Sequence, residues 1–307
     1  MKVMLAGATG ALGGPLIHAL RDAGHEVVAL ARTHSGAERA AGPGVTAVKA
    51  DVLDRDALLR AVDGHHVDAV IHELTALKKA PIRHRDMFAT NALRTQGSTH
   101  LIEAAQQMGA TRFLTQSIAF GYGYRDHGPE SITEDSPFGE PHADAFDPHL
   151  AARRSAEQQA FAAAGMEGVA LRYGLFYGAD LAGVVARLRK RALPIPRHGG
   201  DLAFVHHDDA ATATVAALHR GRAGEAYNVV DDQPAGFGEL LSSIATAYRT
   251  PTPLVLPAGL LRIVAPYGGA VMTTVSMRVS NAKARTELGW TPRYGSYRDF
   301  LGDPSSV

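Results

Sequence analysis

Short apolar runs alternate with helical stretches through the first half of the chain. The apolar runs contain many β-branched residues, and the stretches between them repeat their apolar positions every three to four residues. The predicted strands are Lys2–Ala6, Glu26–Ala31, Val45–Lys49, Val67–Ile71, Arg112–Gln116 and Gly168–Arg172. Because these strands are nearly all apolar, we expect helices to cover both faces of the sheet.

Helical periodicity predicts the segments between the strands. The predicted helices are Leu12–Ala23, Arg55–Val62, Arg85–Met108 and Leu150–Ala164. This alternation is typical of βαβ units and predicts an α/β fold, a Rossmann-type doubly wound parallel sheet within residues 1–178. Prolines become frequent after residue 180 and helices shorten. Residues 179–307 are therefore expected to form a smaller, mixed, substrate-binding portion, with segments exchanged between the two parts.

A glycine-rich turn joins the first strand to the first helix. The turn reads Gly7-Ala8-Thr9-Gly10-Ala11-Leu12-Gly13, with the spacing G-x-x-G-x-x-G. Glycines in this position permit a tight turn and close approach of the backbone to a pyrophosphate, which the free amides at the helix N-terminus then face. The expected dinucleotide-binding residues are Gly7, Thr9, Gly10, Ala11, Leu12 and Gly13.

The end of the second strand bears on the choice of cofactor. An NAD site usually carries an acidic residue there to hold the ribose 2′-hydroxyl. In this chain Ala31 is followed by Arg32, Thr33, His34 and Ser35, with no acid. The guanidinium of Arg32 is suited to a 2′-phosphate, so the sequence predicts NADP, with NAD still possible.

Composition excludes several classes of function. Lysine and arginine together number 31, as do aspartate and glutamate, so no basic excess favours a nucleic-acid partner. The chain has no cysteine, which excludes disulfides, cysteine-ligated metals and thiol catalysis, and we predict no metal site. No run reaches the roughly 20 apolar residues that span a bilayer, so we expect a cytoplasmic protein with no membrane partner.

Further segments occur in the order of a known family. They are Asp51-Val52, Val67–His72, Asn91 within Thr90–Gly97, Leu171–Gly178, Phe204–Ala210 and Ser280–Pro292. Together with the glycine-rich turn, they resemble the extended or atypical short-chain dehydrogenase/reductase superfamily of the epimerase/dehydratase type. The resemblance implies cofactor contacts for Asp51, Val52, His72, Asn91, Tyr173 and Gly174. It also implies a homodimer formed through the two longest helices.

The catalytic positions depart from that family's pattern. Ser117 follows the fifth strand, where the family has its catalytic serine or threonine. The family's Tyr-x-x-x-Lys motif occurs nowhere in the chain, and its two positions fall on His149 and Arg153. Histidine passes protons near neutrality without a lysine, and Arg153 retains a positive charge for the cofactor ribose. The alternative is that both residues are ordinary surface positions at the start of a helix.

Tyrosines near the fifth strand provide a second candidate acid. Tyr122 follows Ser117 closely and is the alternative proton donor, while Tyr124 and Tyr177 are expected to line the substrate pocket. Ligands of open α/β sheets bind at the carboxyl ends of the strands, where these residues are predicted to lie. An aromatic wall without a chemical role is the alternative for this cluster.

Three functions remain compatible with these residues. The first is an NADP-dependent oxidoreductase that acts on a small carbonyl or hydroxyl compound with a non-standard proton donor. The second is a non-redox cyclase, isomerase or lyase on the same scaffold, and the third is a protein that senses the NADP/NADPH ratio. The missing Tyr-x-x-x-Lys motif motivates the second and third, because a fold does not by itself determine a reaction.

Overall fold

The computed structural model describes residues 1–77 and 79–303. The strands within these ranges are β1 Lys2–Ala6, β2 Glu26–Ala31, β3 Val45–Lys49, β4 Ala69–His72, β5 Arg112–Ile118, β6 Asp126–Ile132, β7 Glu167–Tyr173, β8 Leu175–Tyr177, β9 Ile195–Pro196, β10 Asp201–Leu202, β11 Phe204–His206, β12 Glu225–Val229, β13 Ala235–Gly236, β14 Val255–Leu256 and β15 Ser276–Val279. Strands β1, β2 and β3 have the predicted bounds, whereas β4 begins two residues later than predicted.

Seven of these strands form one parallel sheet. Its order is β12-β7-β5-β4-β1-β2-β3, and every neighbouring pair is parallel. The chain enters at β1, runs outward to β3 and then returns to β4 on the other side of β1. This reversal creates a crevice at the carboxyl ends of β1 and β4, where ligands of doubly wound sheets bind. The predicted Rossmann-type fold class is confirmed.

Helices cover both faces of the sheet. The helices of the described residues are α1 Gly13–Asp22, α2 His34–Ala40, α3 Arg55–Ala61, α4 Phe88–Ala92, α5 Ser98–Gln107, α6 Asp147–Phe161, α7 Leu181–Arg189, α8 His207–Arg220, α9 Phe237–Ala247, α10 Ala258–Val264, α11 Pro266–Thr274, α12 Ala282–Leu288 and α13 Tyr297–Gly302. Sequence reasoning missed α2, a short helix that Thr33 caps through its hydroxyl. No helix in the part of the chain described here is long and apolar enough to cross a membrane.

The long helix predicted over Arg85–Met108 is not uniform. It consists of a 3₁₀ turn at His84–Met87, helix α4, a π turn at Leu93–Gly97 and helix α5. The π turn packs against α6. Periodicity alone could not reveal this interruption, because one wider turn rotates the following side chains without removing their apolar character. Such turns are frequently found at functional sites.

The second half contributes both to the central sheet and to a smaller region. Strand β12 extends the sheet beside β7, and α8 packs against α1 beneath it. The smaller region contains the two-stranded pairs β8–β11, β9–β14, β10–β13 and β6–β15. A separate apolar cluster that includes Tyr267, Leu241 and Phe300 holds this region together. Segments on both sides of residue 178 therefore build the sheet.

Candidate active site

The glycine-rich turn forms a close-fitting cradle at the crevice between β1 and β4, where the strand order of the sheet reverses. Gly7 has a φ of +113°, a conformation that side chains rarely adopt. A Cβ on Gly7 would stand 2.7 Å from the backbone of Glu73, the residue after β4. A Cβ on Gly13 would overlap the carbonyl group of Ala8. The turn therefore requires glycine at both positions and brings the ends of β1 and β4 together.

In the first turn of α1 the amide of Gly14 has no partner among the described residues, whereas the amide of Gly13 donates to the carbonyl of Gly10 at 3.1 Å and Pro15 has no N–H. The N-cap of α1, Leu12, has no side chain that accepts a hydrogen bond from those amides. Thr9, Gly10 and Ala11 are exposed. Unpaired amides at a helix N-terminus favour bound phosphate groups. The turn thus has a shape and a free amide that suit a dinucleotide pyrophosphate.

Arg32 lies exposed at the end of β2, beside the turn. Within residues 1–77 and 79–303 its guanidinium has no acidic partner at ion-pair distance. Thr33 accepts a hydrogen bond from the amide of Gly36 at 3.1 Å, and Gly36 in turn packs near Thr9. Helix α2 therefore anchors the segment that carries Arg32 close to the phosphate-binding turn.

Asp51 and Val52 occupy the next strand end. Oδ1 of Asp51 accepts a hydrogen bond from the amide of Leu53 at 3.0 Å, which holds the carboxylate in place. Val52 is buried, and its carbonyl accepts a hydrogen bond from His100 at 2.7 Å. The contacts fix both residues at the rim of the sheet, where the resemblance predicts adenine binding.

His72 and Tyr173 support the crevice from below. Nδ1 of His72 accepts from the amide of Leu74 at 3.2 Å, and Nε2 lies 3.3 Å from the carbonyl of Leu93 in the π turn. The hydroxyl of Tyr173 donates to Glu73 at 2.9 Å, directly under the glycine cradle. Both side chains are buried and bonded to the protein, so they position the crevice walls rather than project into it.

Helix α6 places His149 in a chain of hydrogen bonds. Nδ2 of Asn91 lies 2.9 Å from Nδ1 of His149, and Nε2 of His149 lies 3.1 Å from Nδ1 of His84. The amide donates to Nδ1, which assigns the proton of His149 to Nε2, from which it is donated to His84. His149 is completely buried, so it is not the surface residue of the alternative interpretation.

This arrangement keeps His149 neutral. Burial lowers its pKa to about 4, and the charges of Arg153 and Arg94 add to the effect. Its proton is already donated to His84, and its lone pair accepts from Asn91. A group in this state supplies no proton to a substrate at neutral pH without losing a buried hydrogen bond.

Arg153 lies one turn further along α6 and is 1% exposed. Burial disfavours its charge, but the nearby hydroxyls of Tyr124 and Tyr267 raise its pKa, and its guanidinium carbon stands 5.1 Å from the ring centre of Tyr124. A second buried arginine, Arg94 in the π turn, lies close enough to repel it. The structure thus brings the predicted residues His149, Arg153 and Tyr124 to one place.

Ser117 is buried near the end of β5. Its Oγ has no hydrogen-bond partner among the described residues. A buried hydroxyl without a partner carries a free-energy penalty that a hydrogen bond to a substrate oxygen would remove. This observation fits the predicted role of Ser117 in contacting substrate.

Tyr122 and Tyr177 lie in other networks. The hydroxyl of Tyr122 donates to Asn228 at 2.8 Å and accepts from Arg172 at 3.0 Å, and burial raises its pKa to about 12. Tyr177 is buried against His206. The only hydroxyl proton of Tyr122 is thus donated to another residue of the protein. This hydrogen bond argues against a role for Tyr122 as the acid.

Sequence reasoning missed three residues of this cluster. They are His84, Arg94 and Tyr267. Tyr267 comes from α11 in the second half, and His84 from the 3₁₀ turn, so no local motif connects them with His149. Arg94 could have been identified from the sequence, because it lies one turn after Asn91 in a predicted helix that faces the sheet.

Comparison with known proteins supports the fold and shows the family. The model of the "NAD dependent epimerase/dehydratase family" matches residues 3–230. The chain belongs to this family. Solved structures of the family show the same fold: UDP-glucose 4-epimerase from Thermotoga maritima with UDP-glucose is 21% identical with a TM-score of 0.78, covering 98% of this chain and 96% of that one. The UDP-glucose 4-epimerase from Thermus thermophilus with NAD is 24% identical, with a TM-score of 0.75 and 96% and 95% coverage.

Two relatives within the wider family are reductases by name. A "3-diazoavenalumate denitrifying reductase" from a Streptomyces species is 40% identical over 98% of this chain and 99% of its own length. A "2-alkyl-3-oxoalkanoate reductase" from Stenotrophomonas maltophilia (strain K279a) is 30% identical over 82% of this chain and 77% of its own length. The family membership and these relatives identify the chain as an oxidoreductase- or epimerase-like enzyme that uses an NAD(P)-type cofactor.

Proposed function

We propose that the chain is an NADP-dependent reductase that delivers hydride to the carbon of a diazonium group, with loss of dinitrogen and without a proton donor from the protein. The proposal rests on the hydrogen bonding and protonation state of His149, which occupies the position of the family's catalytic acid. Both of its ring nitrogens are engaged, and its pKa is about 4. The similarity to a denitrifying reductase over nearly the whole chain supports the same conclusion.

The cofactor would be held by residues at the crevice between β1 and β4. The cradle of Gly7 and Gly13 and the free amide of Gly14 fit the pyrophosphate, and Arg32 fits a 2′-phosphate. When bound, the cofactor supplies hydride. Arg153, at the position of the family's lysine, retains the positive charge that suits the ribose or the substrate beside it.

The proposed reaction needs no acid. In a diazonium compound the C–N bond breaks and dinitrogen leaves with the bonding electrons, while hydride brings its own electron pair to the same carbon. The carbon is reduced, the cofactor is oxidised, and the charges balance without a proton. Reduction of a ketone differs, because its oxygen must gain a proton in the transition state.

The protein therefore contributes positioning and electrostatics. Tyr267, Tyr124 and Phe146 pack around His149 and His84, with the rings of Tyr124 and Phe146 centred 4.1 Å apart. These rings exclude water and suit a flat unsaturated substrate. Ser117, with its free hydroxyl, is placed to contact a substrate oxygen.

A second candidate function is reduction of a 3-oxo acid. The free Oγ of Ser117 favours it, because a developing alkoxide needs a hydrogen-bond donor. The 30% identical oxoalkanoate reductase supports it as well. This reaction would require a proton from solvent or from a rearranged His149. The relatives described above give no support to the cofactor-sensing alternative.

The test is a pair of assays on the purified protein. Fluorescence titrations with NADPH and NADH should show NADPH bound at least tenfold more tightly. NADPH oxidation should then proceed with 3-diazoavenalumate and not with a 2-alkyl-3-oxoalkanoate. Oxidation with the oxo acid alone would favour the second candidate, and binding of neither cofactor would refute both. Homodimer formation and cytoplasmic location stay predictions.

A further inference from the structure

Two arginines are buried beside His149 without a negative partner. Arg94 is 4% exposed and Arg153 is 1% exposed. Nε and Nη1 of both side chains have no hydrogen-bond partner among the described residues. No carboxylate within residues 1–77 and 79–303 lies at ion-pair distance from either. The described protein therefore holds two positive charges away from water with nothing to neutralise them.

This arrangement is unfavourable in the unliganded protein. A buried charge normally has a partner, and two like charges repel each other more strongly at low dielectric constant. Burial together with the repulsion from Arg153 lowers the pKa of Arg94 to about 9. The groups around the pair compensate for this only in part, because Tyr124 and Tyr267 provide neutral hydroxyls, and His149 and His72 are neutral as well.

The local backbone structure holds Arg94 and Arg153 together although their burial is unfavourable. Arg94 lies in the π turn, which packs against α6, the helix that carries Arg153. The wider turn changes the direction of the side chains that follow α4, and a regular helix would place them differently. A strained or irregular element that gathers unpaired charges is typical of a binding site.

We infer that Arg94 and Arg153 together bind an anionic oxygen group of the substrate, a carboxylate in the first place. The unpaired N–H groups of two planar guanidiniums match the two oxygens of a carboxylate. The inference rests on the proposed function, and it adds the substrate class: a flat unsaturated acid. Both reductases similar to this chain are named for carboxylates.

The test uses cinnamate and its neutral amide, cinnamamide, which have nearly the same shape. Calorimetric titration of the NADP⁺-loaded protein should show cinnamate bound at least tenfold more tightly than cinnamamide. Arg94→Met should reduce cinnamate affinity to that of the amide and leave the amide unchanged. Arg85→Met is the matched control, because Arg85 is exposed on the same helical stretch, and it should change neither affinity.

The thermal unfolding temperature distinguishes a variant that has lost the binding site from one that has lost the folded structure. Because Arg94→Met removes one of two repelling buried charges, its thermal unfolding temperature should equal or exceed that of the wild type. If this variant does not fold, Arg94→Lys keeps the charge without the planar fork and should retain an intermediate preference for cinnamate.

Three results would overturn the inference. They are equal binding of cinnamate and cinnamamide by the wild type, unchanged cinnamate binding by Arg94→Met, and loss of NADP⁺ affinity in Arg94→Met without an effect on cinnamate. The last result would assign the pair to the cofactor. Failure of the proposed function is a different result, because it would show as no NADP⁺ binding by the wild type or as no NADPH oxidation with 3-diazoavenalumate.

Discussion

The side-chain amide of Asn91 lies 2.9 Å from Nδ1 of His149 and fixes which nitrogen of that ring carries the proton. The proton on Nε2 is donated in turn to His84. We propose that a histidine held in this way positions its neighbours rather than protonating a substrate. The family's usual acid position is therefore retained as a buried, neutral anchor.

Substitution of His149 tests this assignment. We expect His149→Phe to lower kcat for 3-diazoavenalumate by less than about tenfold, because loss of a general acid typically costs about 10²- to 10⁴-fold. Wild-type kcat should be flat between about pH 6 and pH 8, since the pKa of about 4 lies below that range. A steep fall in kcat with a pKa between about 6 and 7, near that of an ordinary histidine, would show instead that His149 titrates in the reaction.

Two neighbouring glycines test the cofactor cradle. A methyl group on Gly13 would overlap the Ala8 carbonyl, whereas one on Gly14 meets nothing within 4 Å. Gly13→Ala should therefore weaken NADPH binding at least about tenfold, roughly 1.4 kcal/mol. Gly14→Ala should bind NADPH normally, because its added methyl group has open space around it. Equal affinities in the two variants would contradict the predicted position of the pyrophosphate.

Arg32 tests the choice between NADP and NAD. A hydrogen bond to a charged group contributes about 1.5 to 3 kcal/mol, so Arg32→Met should weaken NADPH binding by about 10- to 100-fold. NADH binding should not change. Arg60→Met, at an exposed position in the last turn of α3, is the control for loss of a surface charge. A parallel loss of both cofactors in Arg32→Met would argue against 2′-phosphate recognition.

The buried carboxyl of Glu73 makes stability depend on pH. Burial raises its pKa to about 8, so it is protonated in the folded protein and ionised in the unfolded chain above about pH 4.5. Its contribution to the free energy of unfolding is present at low pH and is lost as the pH rises towards 8. Glu73→Gln should therefore stabilise the protein on the order of 3 kcal/mol at pH 7 and by less at pH 5.

Urea unfolding at both pH values measures the effect of Glu73→Gln. Glu26→Gln, at an exposed position at the start of β2, should change the free energy of unfolding little at either pH. A gain for Glu73→Gln that is the same at both pH values would mean that the carboxyl does not carry the raised pKa.

The elements that were predicted correctly from the sequence are those that local patterns determine. Strands β1, β2 and β3 and the glycine-rich turn each depend on neighbouring residues, and their bounds match. The resemblance marked Asn91 and His149 separately as site residues, and the structure adds the hydrogen bond between them. Local patterns could not give the π turn around Arg94 or the approach of Tyr267, because both depend on packing between distant segments. Local patterns also gave no sign of the hydrogen bond from Tyr122 to Asn228, because Asn228 lies on β12.

The most direct test of the proposed reaction traces the transfer of hydride from NADPH to the product. NADPH deuterated at both C4 positions is incubated with the protein and 3-diazoavenalumate in ordinary water. We predict one dinitrogen released for each NADPH oxidised, and one deuterium in the product at the carbon that carried the diazo group. Product that carries hydrogen from water at that carbon, or dinitrogen released without NADPH oxidation, would contradict the proposed reductase.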